Sequence, residues 1–203
     1  MENKTWIIGD VHGNIDSYLG TIAYIERQGE LIGEGVRSIQ VGDMGLFPKR
    51  PKFLPYMENH RWIRGNHDDP EMALNHPGNL GDFGVWQGIF YIAGAWSIDK
   101  DQRTPMVDWW PNEELNWEQW NKCIDLYTQV KPSIVVSHDC PSSVSYELWK
   151  IKCTSNTAKG LQNLLDIHRP DLHIFGHHHK NANKTIGGTD FVCLAELQTY
   201  KIK

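Results

Sequence analysis

Five short apolar runs in this chain each stop at a glycine or serine, and each stop is followed by groups able to hold a metal ion. Trp6-Ile7-Ile8 stops at Gly9-Asp10-Val11-His12-Gly13, and Val36 to Val41 stops at Gly42-Asp43. Arg61 to Arg64 stops at Gly65-Asn66-His67-Asp68, Ser133 to Val136 at Ser137-His138, and Leu172 to Phe175 at Gly176-His177-His178-His179. Runs this short, bounded by turn residues, read as buried strands. Between them lie helical stretches. Ile15 to Arg27 repeats Tyr18, Leu19, Ile22 and Ile25 at helical spacing, with Asn14 or Asp16 as its cap. Glu113 to Val130 and Asn156 to His168 are the other two. Phe83 to Trp86 and Phe90 to Ala93 add two strands around Gln87-Gly88, and Thr185-Ile186 with Phe191 to Leu194 form a closing hairpin around Gly187-Gly188. The alternation predicts an α/β fold, with polar groups collected on the strand-end edge where open α/β sheets bind ligands.

At 203 residues the chain is long enough for one ordinary core. It shows no repeat and no low-complexity linker, so residues 1–203 read as a single domain. A Trp-rich stretch at about 86–120 intervenes between the third and fourth strand ends as a cap-like segment. The formal net charge of -5 gives no basic footprint for nucleic acid. Cys123, Cys140, Cys153 and Cys193 form no C-x-x-C pair and are expected to be reduced, mostly buried thiols. No apolar stretch is long enough to span a bilayer, and Met1 to Thr5 run into the first strand without a secretory signal, which predicts a cytoplasmic location.

The donors at the strand ends are carboxylate, imidazole and amide, with no thiolate. That set suits Mn, Fe, Zn, Ni or Co. Asp10 and His12 are two residues apart, as are His177 and His179, and in extended chain each pair points the same way. Asp43, alone at its strand end, is placed to bridge two ions. Singly, each motif has a plainer explanation: Gly-Asp is usually a turn, and Asp68 could cap a helix. Jointly they point to a metal centre. His60, His76, His168, His173 and His178 are left to packing or capping, with His178 expected to face away from the ions, and Cys140 is read as a packing residue.

In order and in position, these five motifs resemble those of the calcineurin-like metallophosphoesterase superfamily, over residues 9 to 179. The resemblance implies an α/β/β/α sandwich, two mixed sheets flanked by helices with the metal site at strand ends. It implies two divalent ions, with Mn²⁺ the one expected to serve in vitro. Asp10, His12 and His179 would hold the first ion and Asn66, His138 and His177 the second, with Asp43 bridging. His67 would stand near the leaving-group oxygen as the acid, and Asp68 would orient it. Two such ions about 3.5–4 Å apart clamp the attacking and leaving oxygens of an in-line displacement and supply hydroxide near neutral pH.

Gly9 to Gly13 and Arg64 to His67 are similar to the phosphoprotein phosphatase and diadenosine-polyphosphate hydrolase branch. That branch continues its second motif as Asp-Arg-Gly, however, whereas Asp43 here is followed by Met44-Gly45-Leu46. The expected substrate is therefore a small phosphodiester or nucleotide. A serine/threonine-type protein phosphatase, a nuclease and a non-catalytic metal-bound binding module are the alternatives. Trp96, Trp109 and Trp110 could stack a flat group or close a core. Arg64 and Arg103 are candidate phosphate binders, with Arg64 also suited to a structural role beside its tight loop.

Overall fold

A computed structural model of the chain describes residues 4–48 and 53–202; Met1 to Asn3, read above as part of the N-terminal approach, lie outside the described residues. Among the described residues, ten strands fall into two sheets. The first sheet contains β1 (Lys4–Ile8), β2 (Val36–Gln40) and β3 (His60–Trp62), which run parallel. The second contains β4 (Phe83–Trp86), β5 (Ile89–Ile92), β6 (Ile134–Ser137), β7 (Leu172–Phe175), β8 (Ala182–Ile186) and β9 (Thr189–Cys193), in the order β4-β5-β6-β7-β9-β8. Its four inner strands are parallel, and β4 and β8 pair antiparallel at the edges. The last strand, β10 (Thr199–Lys201), returns to the first sheet and pairs antiparallel with β1.

The two sheets meet through one apolar layer. Ile7, Ile39 and Ile63 come from the first sheet and its strand ends, and Val136, Ile174 and Val192 from the second. Ile7, Ile39 and Ile174 are fully buried there, each removal from water being worth about 1.5–3 kcal/mol. The outer faces are covered by helices. Helix α1 (Ile15–Ile32) lays Tyr18, Ile22 and Ile25 on the first sheet. On the second sheet, α3 (Trp117–Val130) and α5 (Asn156–Ile167) pack Trp120, Tyr127, Leu161 and Leu164 against Phe90 and Val135. The layers are thus α/β/β/α, as the motifs implied.

Local chemistry sets the helix ends. Asn14 accepts from the Ser17 N–H, and α1 runs past Arg27 to a left-handed Gly33. The expected helix from Glu113 begins later, at Trp117. Asn116 and Gln119 close a reciprocal capping box that fixes the start, and Glu113 is turned inward instead. Two short helices, α2 (Pro70–Asn75) and α4 (Ser142–Trp149), and strand β10 carry too little periodicity to be read in advance. Among the described residues, no helix is long and apolar enough to cross a membrane.

Candidate metal centre

The parallel strands of both sheets deliver their C-terminal loops to one edge, and the expected donors meet there. They do not arrive in extended chain. His12, Asp43, His177 and His179 all have positive φ (49°, 55°, 64° and 52°), a region non-glycine residues rarely adopt. Such backbone costs of order 1–3 kcal/mol per residue and persists where the surroundings over-determine it, commonly at functional sites. The i, i+2 pairs therefore converge through left-handed loops rather than through strand alternation. The motif glycines permit the crowding: a Cβ at Gly65 would strike Asp43 Oδ1 and the His138 ring, and one at Gly176 would strike Asp10 Oδ1.

Two donor groups result, with Asp43 between them. In the first, His12 Nε2 and His179 Nε2 are 2.8 Å apart, and His179 Nε2 is 3.4 Å from Asp10 Oδ2. One donor atom from each of Asp10, His12, Asp43 and His179 falls within 4.8 Å of the others. In the second, His138 Nε2 lies 3.1 Å from Asn66 Oδ1 and 3.3 Å from Asp43 Oδ1. The His177 ring is next to it, at 5.1 Å between centroids. Asp43 Oδ2 turns to the first group, 3.8 Å from His12 Nε2. It is buried without a hydrogen-bond partner, a costly arrangement for a carboxylate oxygen unless a cation completes it.

The electrostatics are those of a cation site. Burial lifts Asp10 well above the usual carboxylate range, and Asp43 adds to the rise. Burial would lift Asp43 too, but the adjacent His138 outweighs it and holds Asp43 well below that range. His138 is raised to about 10, because the two carboxylates overcome the burial that would lower it. Burial takes His177 down to about 4 and also lowers His12. His12, His177 and Asp43 thus stand in the forms that ligate metal, while His138 and Asp10 would give up a proton as an ion binds. Carboxylate, imidazole and amide donors gathered around the unpartnered Asp43 Oδ2 fit divalent ions.

His67 and Asp68 stand differently from each other. His67 lies at the rim, its ring 5.0 Å from that of His12, and its backbone N–H donates to Asp43 Oδ1 at 2.8 Å. Its ring nitrogens face Arg103, with Nη1 3.1 Å from Nδ1 and Nη2 2.8 Å from Nε2. Burial, reinforced by the Arg103 charge, pushes the His67 pKa down. Arg103 is itself clamped by Asp99 through Nε at 2.8 Å and Nη2 at 2.9 Å. Asp68, expected to orient the His67 ring, instead receives four backbone N–H groups. Gly45 and Leu46 donate to Oδ1 at 2.7 and 3.0 Å, and Met44 and Gly65 to Oδ2 at 3.1 and 2.9 Å. Asp68 therefore staples the Asp43 loop to the His67 loop. Burial and the Asp43 charge raise it to about 6 against those four donors.

Arg64, a candidate phosphate binder by sequence, is turned away from the cavity. It is 2% exposed, with Nε on Asp82 at 2.9 Å and Nη1 on the Glu113 carbonyl at 2.7 Å, a strut beneath the site. Trp96 lines the cavity over the centre together with Ile98, Ile151 and Arg103. Trp110 is buried, and Trp109 shares the Lys100 ammonium with Trp96 without itself lining the cavity. No local sequence pattern announces the support behind Asn66. Its Nδ2 donates to Ser97 Oγ at 3.0 Å, and Ser97 Oγ donates to Glu113 Oε2 at 2.6 Å. This chain fixes the amide so that its oxygen faces His138. The remaining histidines are engaged elsewhere: His60 with Ser38, His76 with Leu54, His168 with Pro132 and His173 with Ser137.

Solved structures with a similar course cover nearly the whole chain at low identity. GAP50, the anchor in the inner membrane complex of Plasmodium, is 10% identical with a TM-score of 0.53, over 96% of this chain and 72% of that one. Phosphopantetheinyl hydrolase from Mycobacterium tuberculosis is 15% identical with a TM-score of 0.48, over 96% of this chain and 90% of that one. A predicted phosphoesterase from Streptococcus pneumoniae TIGR4 is 14% identical with a TM-score of 0.40, over 97% and 75% respectively. The GAP50 likeness speaks for the fold alone. No curated protein sequence gives a significant match. The calcineurin-like phosphoesterase family model, in contrast, matches residues 4–181, which takes in all five strand-end motifs. The chain belongs to the calcineurin-like phosphoesterases.

Proposed function

We propose that this chain is a dinuclear-metal phosphoesterase that hydrolyses a small phosphodiester or nucleotide. The observation that carries the proposal is Asp43: one buried carboxylate with Oδ1 toward His138 and an otherwise unpartnered Oδ2 toward His12. Asp10, His12 and His179 would hold one ion, Asn66, His138 and His177 the other, and Asp43 both. When bound, the ions supply the activated water and the positive charge that phosphoryl transfer requires.

The chain's own groups do the rest. Arg103, held by Asp99 at the mouth, presents a fork of donors suited to a phosphate oxygen. Burial and, after it, the Arg103 charge lower the His67 pKa. A phosphate anion beside both offsets that charge and lets His67 carry the proton that the leaving oxygen needs. The segment around Trp96 acts as the cap. The cavity there, about 450 Å³, is of a size that takes a nucleotide or similar small ester, and Trp96, Ile98 and Ile151 offer its non-phosphate part an apolar wall. A cytoplasmic location accords with the free, mostly buried cysteines.

The test is turnover of bis-p-nitrophenyl phosphate and p-nitrophenyl phosphate by Mn²⁺-loaded protein, followed by mono-, di- and cyclic nucleotides with Mn²⁺, Ni²⁺ and Zn²⁺. Hydrolysis that stops on chelation and returns with metal is expected. A metal-loaded protein inert to every ester sinks the proposal.

A further inference from the structure

Next to the candidate centre, and using none of its expected ligands, Asp139, Cys140 and His178 bring three different donor atoms together. His178 Nε2 lies 3.2 Å from Asp139 Oδ1 and 3.5 Å from Cys140 Sγ. One donor atom from each of the three residues lies within 4.8 Å of the others. Cys140 is fully buried and Asp139 is 2% exposed, while His178 reaches the cavity.

The spacing is that of a tetrahedral ligand set. Zinc binds thiolate sulfur at about 2.3 Å and imidazole nitrogen or carboxylate oxygen at about 2.0–2.2 Å; at tetrahedral angles these lengths require S···N of about 3.5 Å and N···O of about 3.3 Å. The two separations from His178 Nε2 match these lengths, and the third, between Cys140 Sγ and the Asp139 carboxylate, lies within 4.8 Å. The scaffold is firm. Asp139 and Cys140 follow β6 and His178 follows β7, and these strands pair up to Ser137 and Phe175. The Cys140 N–H donates to Asp139 Oδ1 at 2.7 Å. The His178 ring packs on Trp149 at 4.3 Å between centroids. The fourth side opens to the cavity, which Cys153 also lines.

We propose that Asp139, Cys140 and His178 form a third metal site, selective for a thiophilic divalent ion such as Zn²⁺, with water or Cys153 in the fourth position. Binding forms a metal–sulfur bond and releases the Cys140 thiol proton to solvent. The donor set differs from the main centre by its thiolate, and that difference selects the softer ion. Because His178 sits between His177 and His179, an ion there also pins the loop that carries both of them.

Cadmium titration of chelator-stripped protein, followed by thiolate-to-metal charge-transfer absorption, tests the site. Ions at the main centre have no thiolate and are silent, so the outcome does not depend on the proposed phosphoesterase activity. The expected result is one band-forming ion per chain. The band is lost in Cys140→Ser, weakened about tenfold or more in affinity in His178→Ala, and unchanged in Cys123→Ser, whose thiol is buried in α3. Should Cys140→Ser not fold, His178→Ala and Asp139→Asn carry the test, because His178 is only partly buried. A band absent from the wild type, surviving Cys140→Ser, or indifferent to His178→Ala overturns the site.

Discussion

The floor and the wall of the central cavity are built on opposite principles. The floor consists of Asp10, Asp43, Asn66 and His138, all at most 2% exposed, carried by loops that leave paired parallel strands. Its backbone is stapled from below by Asp68, and its glycines admit no side chain. The wall is the segment from Trp96 to Arg103, where Ile98 is 84% exposed and Arg103 bridges Asp99 to His67. A buried, over-determined floor can hold strained backbone and unpaired charge ready for ions. An exposed wall tied by a few polar contacts can vary with the substrate and move with it.

The largest effect is expected where floor and wall meet. His67→Ala should lower turnover about 10²–10⁴-fold for esters with poor leaving groups and much less for p-nitrophenyl esters, with bound metal unchanged. Equal losses across leaving groups, read from kcat, would remove the acid role. Asp68→Asn tests the staple. Replacing a buried acceptor of four N–H groups should cost about 2–4 kcal/mol in chemical denaturation, and an unchanged midpoint would show that the loops hold without it. On the wall, Arg103→Ala should raise KM about tenfold or more while the ion count stays fixed; a pure kcat loss would assign Arg103 to His67 rather than to phosphate.

At neutral pH the smallest effect lies under the floor, and it grows only in acid. Burial lowers the His173 pKa to about 3, so the folded state resists a proton that the unfolded chain accepts near pH 6.5. Its stabilising contribution is complete above about pH 6.5 and falls by about 1.4 kcal/mol per pH unit below that, down toward pH 3. His173→Gln, compared with wild type in the same metal state, should flatten the acid limb of stability against pH by about one proton. Parallel curves would mean that His173 is protonated in the fold.

Floor and wall also differ in how far the sequence reveals them. The strand ends were legible because an apolar run followed by Gly-Asp, Gly-Asn-His or Gly-His is a local pattern, and parallel pairing brings such ends together. Even there the local reason differed from expectation, since His12, His177 and His179 converge through left-handed backbone. What the sequence concealed depends on tertiary path. Glu113 sat inside an apparent helix, yet it turns inward to Ser97 and so fixes Asn66. Arg64 stands beside a metal motif, yet its side chain runs to Asp82. Cys140 seemed only to pack, until the β7 loop set His178 against it.

Both donor groups meet at Asp43, and counting bound ions per chain in wild type and Asp43→Asn after loading with Mn²⁺ tests its bridging role. Two ions in the wild type and one or none in the variant, with both folded by circular dichroism, is the predicted result. An unchanged count in Asp43→Asn would contradict it.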